Sequence, residues 1–155
     1  MTGPLRQERV SRLSPWGPLS PVALGLAVFV FAVDQAHKWW MLSAFAIAER
    51  QPVALTSFFD LVLAWNQGVS YGLFRTHQQG ALVGVSLLIS LVLWFWACRS
   101  ASALVAVGLG LIIGGAMSNA ADRVNHGAVA DFFHFHLGGF SWYVFNVADV
   151  AIVAG

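Results

Sequence analysis

Asp131 and Asp149 are the residues of this chain best suited to do chemistry. They stand within a largely apolar stretch, Gly114 to Asp149, that also carries Asn119, Asp122, Arg123 and Asn146. Ionisable groups are costly in hydrocarbon, so acids at the ends of apolar segments point to function. Asn119 and Arg123 are spaced i,i+4 and Asn119 and Asp122 i,i+3, which puts them on one helix face. Asn146 and Asp149 repeat the i,i+3 spacing on a second apolar helix, with Asp149 about one turn inside it and no cation nearby in sequence. Asp131 is expected on the loop between the two helices. If Asp131 and Asp149 meet, they cannot both ionise easily in a poorly solvated site, so one keeps its proton. The ionised member can take a proton from water while the neutral one protonates a carbonyl oxygen or a leaving amine. That is peptide hydrolysis without a metal or a covalent intermediate. The same acids also suit an ion or proton pathway, and the residues alone leave a small proton- or ion-coupled transporter open. Asp122 next to Arg123 reads as a salt bridge at a membrane surface.

The elements that must position these groups follow from composition. Of the 155 residues, 58% are hydrophobic and 10% charged, with a mean hydropathy of +0.71. Soluble domains carry about 25% charged residues, so this is an integral membrane protein. A net charge of +1 argues against a nucleic-acid partner. Cys98 is the single cysteine, which excludes a disulfide framework and reads as a small apolar side chain near a helix end.

Residues 1–20 form a polar, proline-broken tail with Arg6, Arg9 and Arg12, expected in the cytoplasm. Residues 21–155 are expected to form one four-helix domain. The first span, Val22 to Trp40, carries Asp34 and Lys38 at i,i+4, close enough to pair and lower their cost in the membrane. The second is Gly80 to Ala97, and the third runs from Ala101 to about Ala121, rich in glycine and alanine for close helix packing. The fourth would start at Trp142, but only 14 residues remain to Gly155. That is too short to cross, and the natural chain is expected to continue. Between the first two spans, residues 43–79 hold no span. Phe59 to Trp65 alternates with period two, as a strand does, and Asn66-Gln67-Gly68 signals a turn. The expected fold is an all-α membrane protein, four transmembrane helices with a small extracytoplasmic β element. Trp39, Trp40, Trp142 and Tyr143 suit an outer interface. His126, His134 and His136 lack the helical spacing of a zinc motif and read as interfacial, so no metal is expected.

At these residues the sequence resembles the bacterial lipoprotein signal peptidases, signal peptidase II. Asp34-Gln35 with Lys38 resembles the first block of that family, and Asn66-Gln67-Gly68-Val69-Ser70-Tyr71-Gly72 the second. Gly114-Gly115-Ala116, Asn119, Asp122-Arg123, Gly127, Val129 and Asp131-Phe132 resemble the third. Phe145-Asn146, Ala148-Asp149, Ile152 and Gly155 resemble the fourth. Ser118 departs from the pattern, standing where the family usually has glycine; serine is small and is expected to be tolerated, at some cost in helix packing. The resemblance implies an intramembrane aspartic endopeptidase of the bacterial inner membrane, with no cofactor and no obligate protein partner. Its substrate would be a diacylglyceryl prolipoprotein, reached through membrane lipid and cut just before the lipidated cysteine. It implies Asp131 and Asp149 as the catalytic pair. Asn119, Arg123 and Asn146 would position substrate or support the pair, with Asp122 beside them and Asp34 and Lys38 as a supporting ion pair. The region from Asn66 through Gly68 to Gly72 would belong to an extracytoplasmic cradle around the substrate.

Overall fold

The computed structural model describes residues 14–68 and 75–155, with side chains from Gln79 onward in the second stretch. The basic tail through Leu13 and the Ser70-Tyr71-Gly72 segment lie outside the described residues. Among those described, three helices are long and apolar enough to cross a membrane: Ser20–Ala44, Gln79–Arg99 and Ala103–His126. A helix satisfies its own backbone, which is why apolar segments of this length take that form in lipid.

The first span is helix α1, Ser20–Trp39, continued by a π-helical turn, Trp40–Ala44. A short helix α2, Ile47–Arg50, leads into strands β1, Val53–Ala54, and β2, Phe59–Asn66. Helix α3, Arg75–Arg99, and helix α4, Ala103–His126, are joined by a tight turn and lie antiparallel, as expected. Helix α4 ends about a turn beyond the expected end of the span, and Asp122 and Arg123 are helical, as their spacing to Asn119 required. It stops at Gly127, whose φ of +70° suits the left-handed cap. Strand β3, Val129–Leu137, strand β4, Phe140–Ser141, and helix α5, Val147–Ala154, complete the chain.

Two expectations are corrected. Asp131 stands on β3, not on a loop, because pairing to β2 begins at Asn66↔Val129, two residues after the Gly127 cap. The last helix starts at Val147 rather than Trp142. The segment Trp142–Phe145 is instead not helical, and Phe145 bridges to Phe133 of β3.

The sheet is antiparallel in the order β1-β2-β3-β4, with a bulge between Leu61 and Ala64 opposite Phe133 and Asp131. It packs on the end of the bundle through Met41, Ile47, Ala130 and Phe132. The opposite end is closed by Ala23, Ala97, Ala106 and Leu109. Helix α4 is central and packs against α1, α3 and α5. Its small residues allow this, as expected. A Cβ on Gly114 would lie 2.6 Å from the Ala27 carbonyl oxygen, and one on Gly115 2.5 Å from that of Ala148. Gly114→Ala should therefore lower stability by about 1–3 kcal/mol through overpacking. Gly84→Ala, with nothing within 4 Å of the added carbon, should leave it unchanged or slightly raised. Thermal unfolding midpoints in one detergent compare the two.

Candidate active site

Three elements bring the polar residues together. Helix α4 supplies Asn119, Asp122 and Arg123, β3 supplies Asp131, and the start of α5 supplies Asn146 and Asp149. Asn146 is not within the helix but caps it. Its side chain accepts from the Asp149 N–H at 2.9 Å, and its own N–H donates to Asp149 Oδ2 at 3.1 Å. This reciprocal box fixes Asp149 in the first turn, not a turn inside. The Asn146 amide also donates to Asp131 Oδ1 at 2.6 Å and to Asn119 Oδ1 at 3.1 Å. Asn119 Nδ2 donates to Asp149 Oδ1 at 2.8 Å. Asn66, the last residue of β2, donates to Asp131 Oδ2 at 3.1 Å. Each carboxylate thus accepts on both oxygens, and two asparagines link one to the other.

The amide orientations are forced. Asn66 Oδ1 accepts from the Gly68 N–H at 2.9 Å, so its NH2 group must face Asp131. Gly68 makes this turn with φ +89°, which is the contribution of that glycine. Asn119 Oδ1 accepts from Lys38 Nζ at 3.1 Å and from Asn146, so its NH2 group must face Asp149.

Lys38 anchors a second, deeper network. Its ammonium lies 2.7 Å from Asp34 Oδ2, as the spacing predicts, and also 2.7 Å from Asp122 Oδ2. All three side chains are at most 3% exposed. Two carboxylates around one ammonium leave excess negative charge, and neutral donors offset it. Ser118 Oγ and the Ala148 N–H donate to Asp34 at 2.6 and 2.9 Å. Gln35 Nε2 and the Ala130 N–H donate to Asp122 at 2.8 and 3.2 Å. Asp34 therefore ties α1 to the first turn of α5, where a carboxylate also complements the helix dipole.

Asp122 was expected to pair with Arg123, and it does not. Neighbours in a helix point in different directions. Asp122 turns inward to Lys38, while Arg123 Nη1 donates to the Asn119 carbonyl at 3.1 Å. Arg123 stays near Asp149, Asp131 and Asp122, and its buried Nε has no partner among the described residues. Ser118 is accommodated, with its hydroxyl buried against Asp34 and Gln35. The sequence reading gave no site role to Gln35 or Ser118. The available signal was a polar side chain beside Asp34 in an otherwise apolar helix.

Asp131 is 1% exposed. Burial pushes its carboxyl up to about 6, and the negative Asp149 adds to the rise. Hydrogen bonds from Asn66 and Asn146, and the charge of Lys38, pull the other way and do not cancel it. One acid is thus poised to hold a proton beside a second. An apolar cavity of about 390 Å³, lined by Trp142, Phe145, Asp149, Val150, Val153 and Ala154, opens on that second acid. A neighbouring one of about 490 Å³ shares Trp142 and Phe145 and adds Phe58, Phe135, His136, Leu137 and Phe140.

Residues 26–155 match the family model of signal peptidase (SPase) II. The chain is 51% identical over 142 residues to the lipoprotein signal peptidase of Methylocella silvestris, covering 88% of this chain and 83% of that one. It is 53% identical over 129 residues to that of Methylorubrum extorquens, covering 80% and 74%. In architecture it is similar to a bacterial membrane enzyme solved by the in meso method. The TM-score is 0.71 at 24% identity, over 86% of this chain and 81% of that one. The family model spans nearly all of the bundle, the sheet and the two linked carboxylates, and the chain belongs to the signal peptidase II family.

Proposed function

We propose that Asp131 and Asp149 are the catalytic carboxylates of a peptidase that removes the signal peptide from diacylglyceryl prolipoproteins, cutting just before the lipidated cysteine. The observation that carries this reading is the convergence of the two acids through Asn119 and Asn146, with burial raising the Asp131 carboxyl to about 6. Asp149 accepts a proton from water as that water attacks the scissile carbonyl, and Asp131 gives its proton to the carbonyl oxygen. In the second half-step Asp149 returns its proton to the leaving amide nitrogen and Asp131 recovers one from the tetrahedral diol. The C–N bond breaks and both acids are restored. Arg123, whose guanidinium stands beside both acids, hydrogen-bonds a substrate carbonyl and so fixes the register of the peptide. The apolar cavity at Asp149 takes the hydrocarbon part of a substrate arriving sideways through the bilayer. Membership of a peptidase family displaces the transporter alternative.

In this reading the sheet lies at the extracytoplasmic face of the bacterial inner membrane and forms the cradle with residues 43–79. The basic tail of residues 1–20 is cytoplasmic, residues 21–155 act as one domain, and α5 is the fourth helix of the bundle. The reaction needs no cofactor and no second protein. The direct test is cleavage of a diacylglyceryl prolipoprotein in liposomes, with the product masses read. The expected products meet at the bond before the modified cysteine. Cleavage elsewhere, or of the unlipidated precursor equally well, contradicts the assignment.

The position of the Asp131 carboxyl also sets a pH dependence. The pair must hold one proton, and the protonated form is lost as pH rises through the upper apparent value of the dyad. In the free enzyme that value lies near 6. Accordingly kcat/KM should fall about tenfold per unit above it, whereas the limb in kcat should lie higher because bound substrate excludes water. A flat kcat/KM between pH ~5 and ~8 would contradict Asp131 as the acid.

A further inference from the structure

A group of side chains outside the dyad gathers at the rim of the sheet. Asp60 of β2 and His134 of β3 are directly paired across the strands, and His136 follows His134 at i,i+2. Strand alternation puts the two histidines on one face, beside Asp60. One ligand atom from each of the three lies within 4.8 Å of the others. His136 Nε2 is 2.8 Å from Asp60 Oδ2, the imidazole centroids are 5.3 Å apart, and His134 Nε2 meets Ser141 Oγ at 2.7 Å. All three side chains are partly exposed, and the His136 Nε2 is buried without a hydrogen-bond partner among the described residues. Asp131 lies an odd number of residues back along β3, and alternation turns it to the other face.

We propose that Asp60, His134 and His136 form a binding site for a divalent transition-metal ion of the zinc class, separate from the peptidase centre. Two imidazoles and one carboxylate are a donor set zinc accepts, and three protein ligands leave a fourth position for water. Tetrahedral bonds of about 2.0–2.1 Å place ligand atoms about 3.4 Å apart, so the present spacing needs only a small closing movement of partly exposed side chains. From sequence alone His126, His134 and His136 read as interfacial and no metal was expected; in the fold only two of these histidines come together. The His126 ring packs on Trp65 instead, and the sheet supplies Asp60 in its place. His136 also lines the larger aromatic cavity, so a bound ion would pin β2 to β3 beside it.

The test is a zinc titration of the full chain in detergent after treatment with a chelator, read against a competing chromophoric chelator. One ion per chain is expected, with a zinc-dependent rise in the unfolding midpoint. Even partners outside the coordination shell cost 10–100-fold in affinity, so the His134→Ala, His136→Ala double variant should lose at least roughly 100-fold. It should also lose the rise in midpoint. Asp60→Asn, which keeps the shape of the side chain, should lose about tenfold on the same grounds. His126→Ala should bind as the unaltered chain does. Failure of the unaltered chain to bind zinc stoichiometrically, or equal binding by Asp60→Asn and the double variant, would overturn the site. A cooperative unfolding transition of zinc-free Asp60→Asn, near the midpoint of the zinc-free unaltered chain, shows that the variant is folded, so weak binding by it cannot be ascribed to unfolding.

Discussion

Asp149→Asn is expected to lower kcat/KM for prolipoprotein cleavage by roughly 10,000-fold, and Asp131→Asn by a similar factor, in proteins that still fold and insert. The substitution keeps shape and removes the base. At position 149 an asparagine oxygen can still accept from the Asn146 N–H, so the cap of α5 survives. What it cannot do is remain a neutral guest at no cost. The Asn119 amide is locked with its NH2 group toward position 149, because Lys38 and Asn146 hold its oxygen. Two NH2 groups would then face each other, at a cost of about 1 kcal/mol or somewhat more. The drop in rate should therefore come with a small fall in the unfolding midpoint. A large fall would mean that inactivity reports unfolding, and a normal rate would remove that acid from the mechanism. Purified variants assayed for cleavage and thermal unfolding in the same detergent separate these outcomes.

The second large effect is on stability. Lys38→Met should cost about 3–5 kcal/mol, because it leaves Asp34 and Asp122 buried without their cation. Adding Asp122→Asn to Lys38→Met should recover part of that loss, since it removes one of the stranded charges. Groups in one network are not additive. The ammonium also holds the Asn119 oxygen, so Lys38→Met should reduce cleavage even at temperatures where the protein stays folded. A Lys38→Met protein as stable as the unaltered chain would show that the buried carboxylates are neutral and the ion network is not formed. Unfolding midpoints of the single and double variants decide it.

Much of this site was legible in the sequence because lipid makes polar residues conspicuous. Asp34 and Lys38 at i,i+4 gave their own pairing, and the alternation from Phe59 gave β2. The partner of Asp122 was not legible. Adjacency to Arg123 suggested a pair, whereas helix geometry sends neighbours apart and the true partner is on another helix, 84 positions earlier by number. The role of Asn146 could have been read: an asparagine followed three residues later by an acid, before an apolar run, is a capping pattern. It was hidden by the assumption that the last helix began at the aromatic pair Trp142 and Tyr143. Asp131 was assigned to a loop because Gly127 marked a turn, and a strand starting two residues later depends on β2, which is more than sixty residues away. Ser118 differs from the glycine usual at that position by a hydroxyl whose acceptor, Asp34, lies on another helix 84 positions away.

The central claim is that Asp131 and Asp149 act as one unit on one water molecule. It is tested most directly by single-turnover cleavage of a diacylglyceryl prolipoprotein with Asp131→Asn, Asp149→Asn and the double variant, with all four rates measured in one lipid. Groups that act together lose nearly everything with the first substitution, so the double variant should be no slower than either single one. Losses that multiply, or a single variant at the unaltered rate, would contradict the shared-proton dyad.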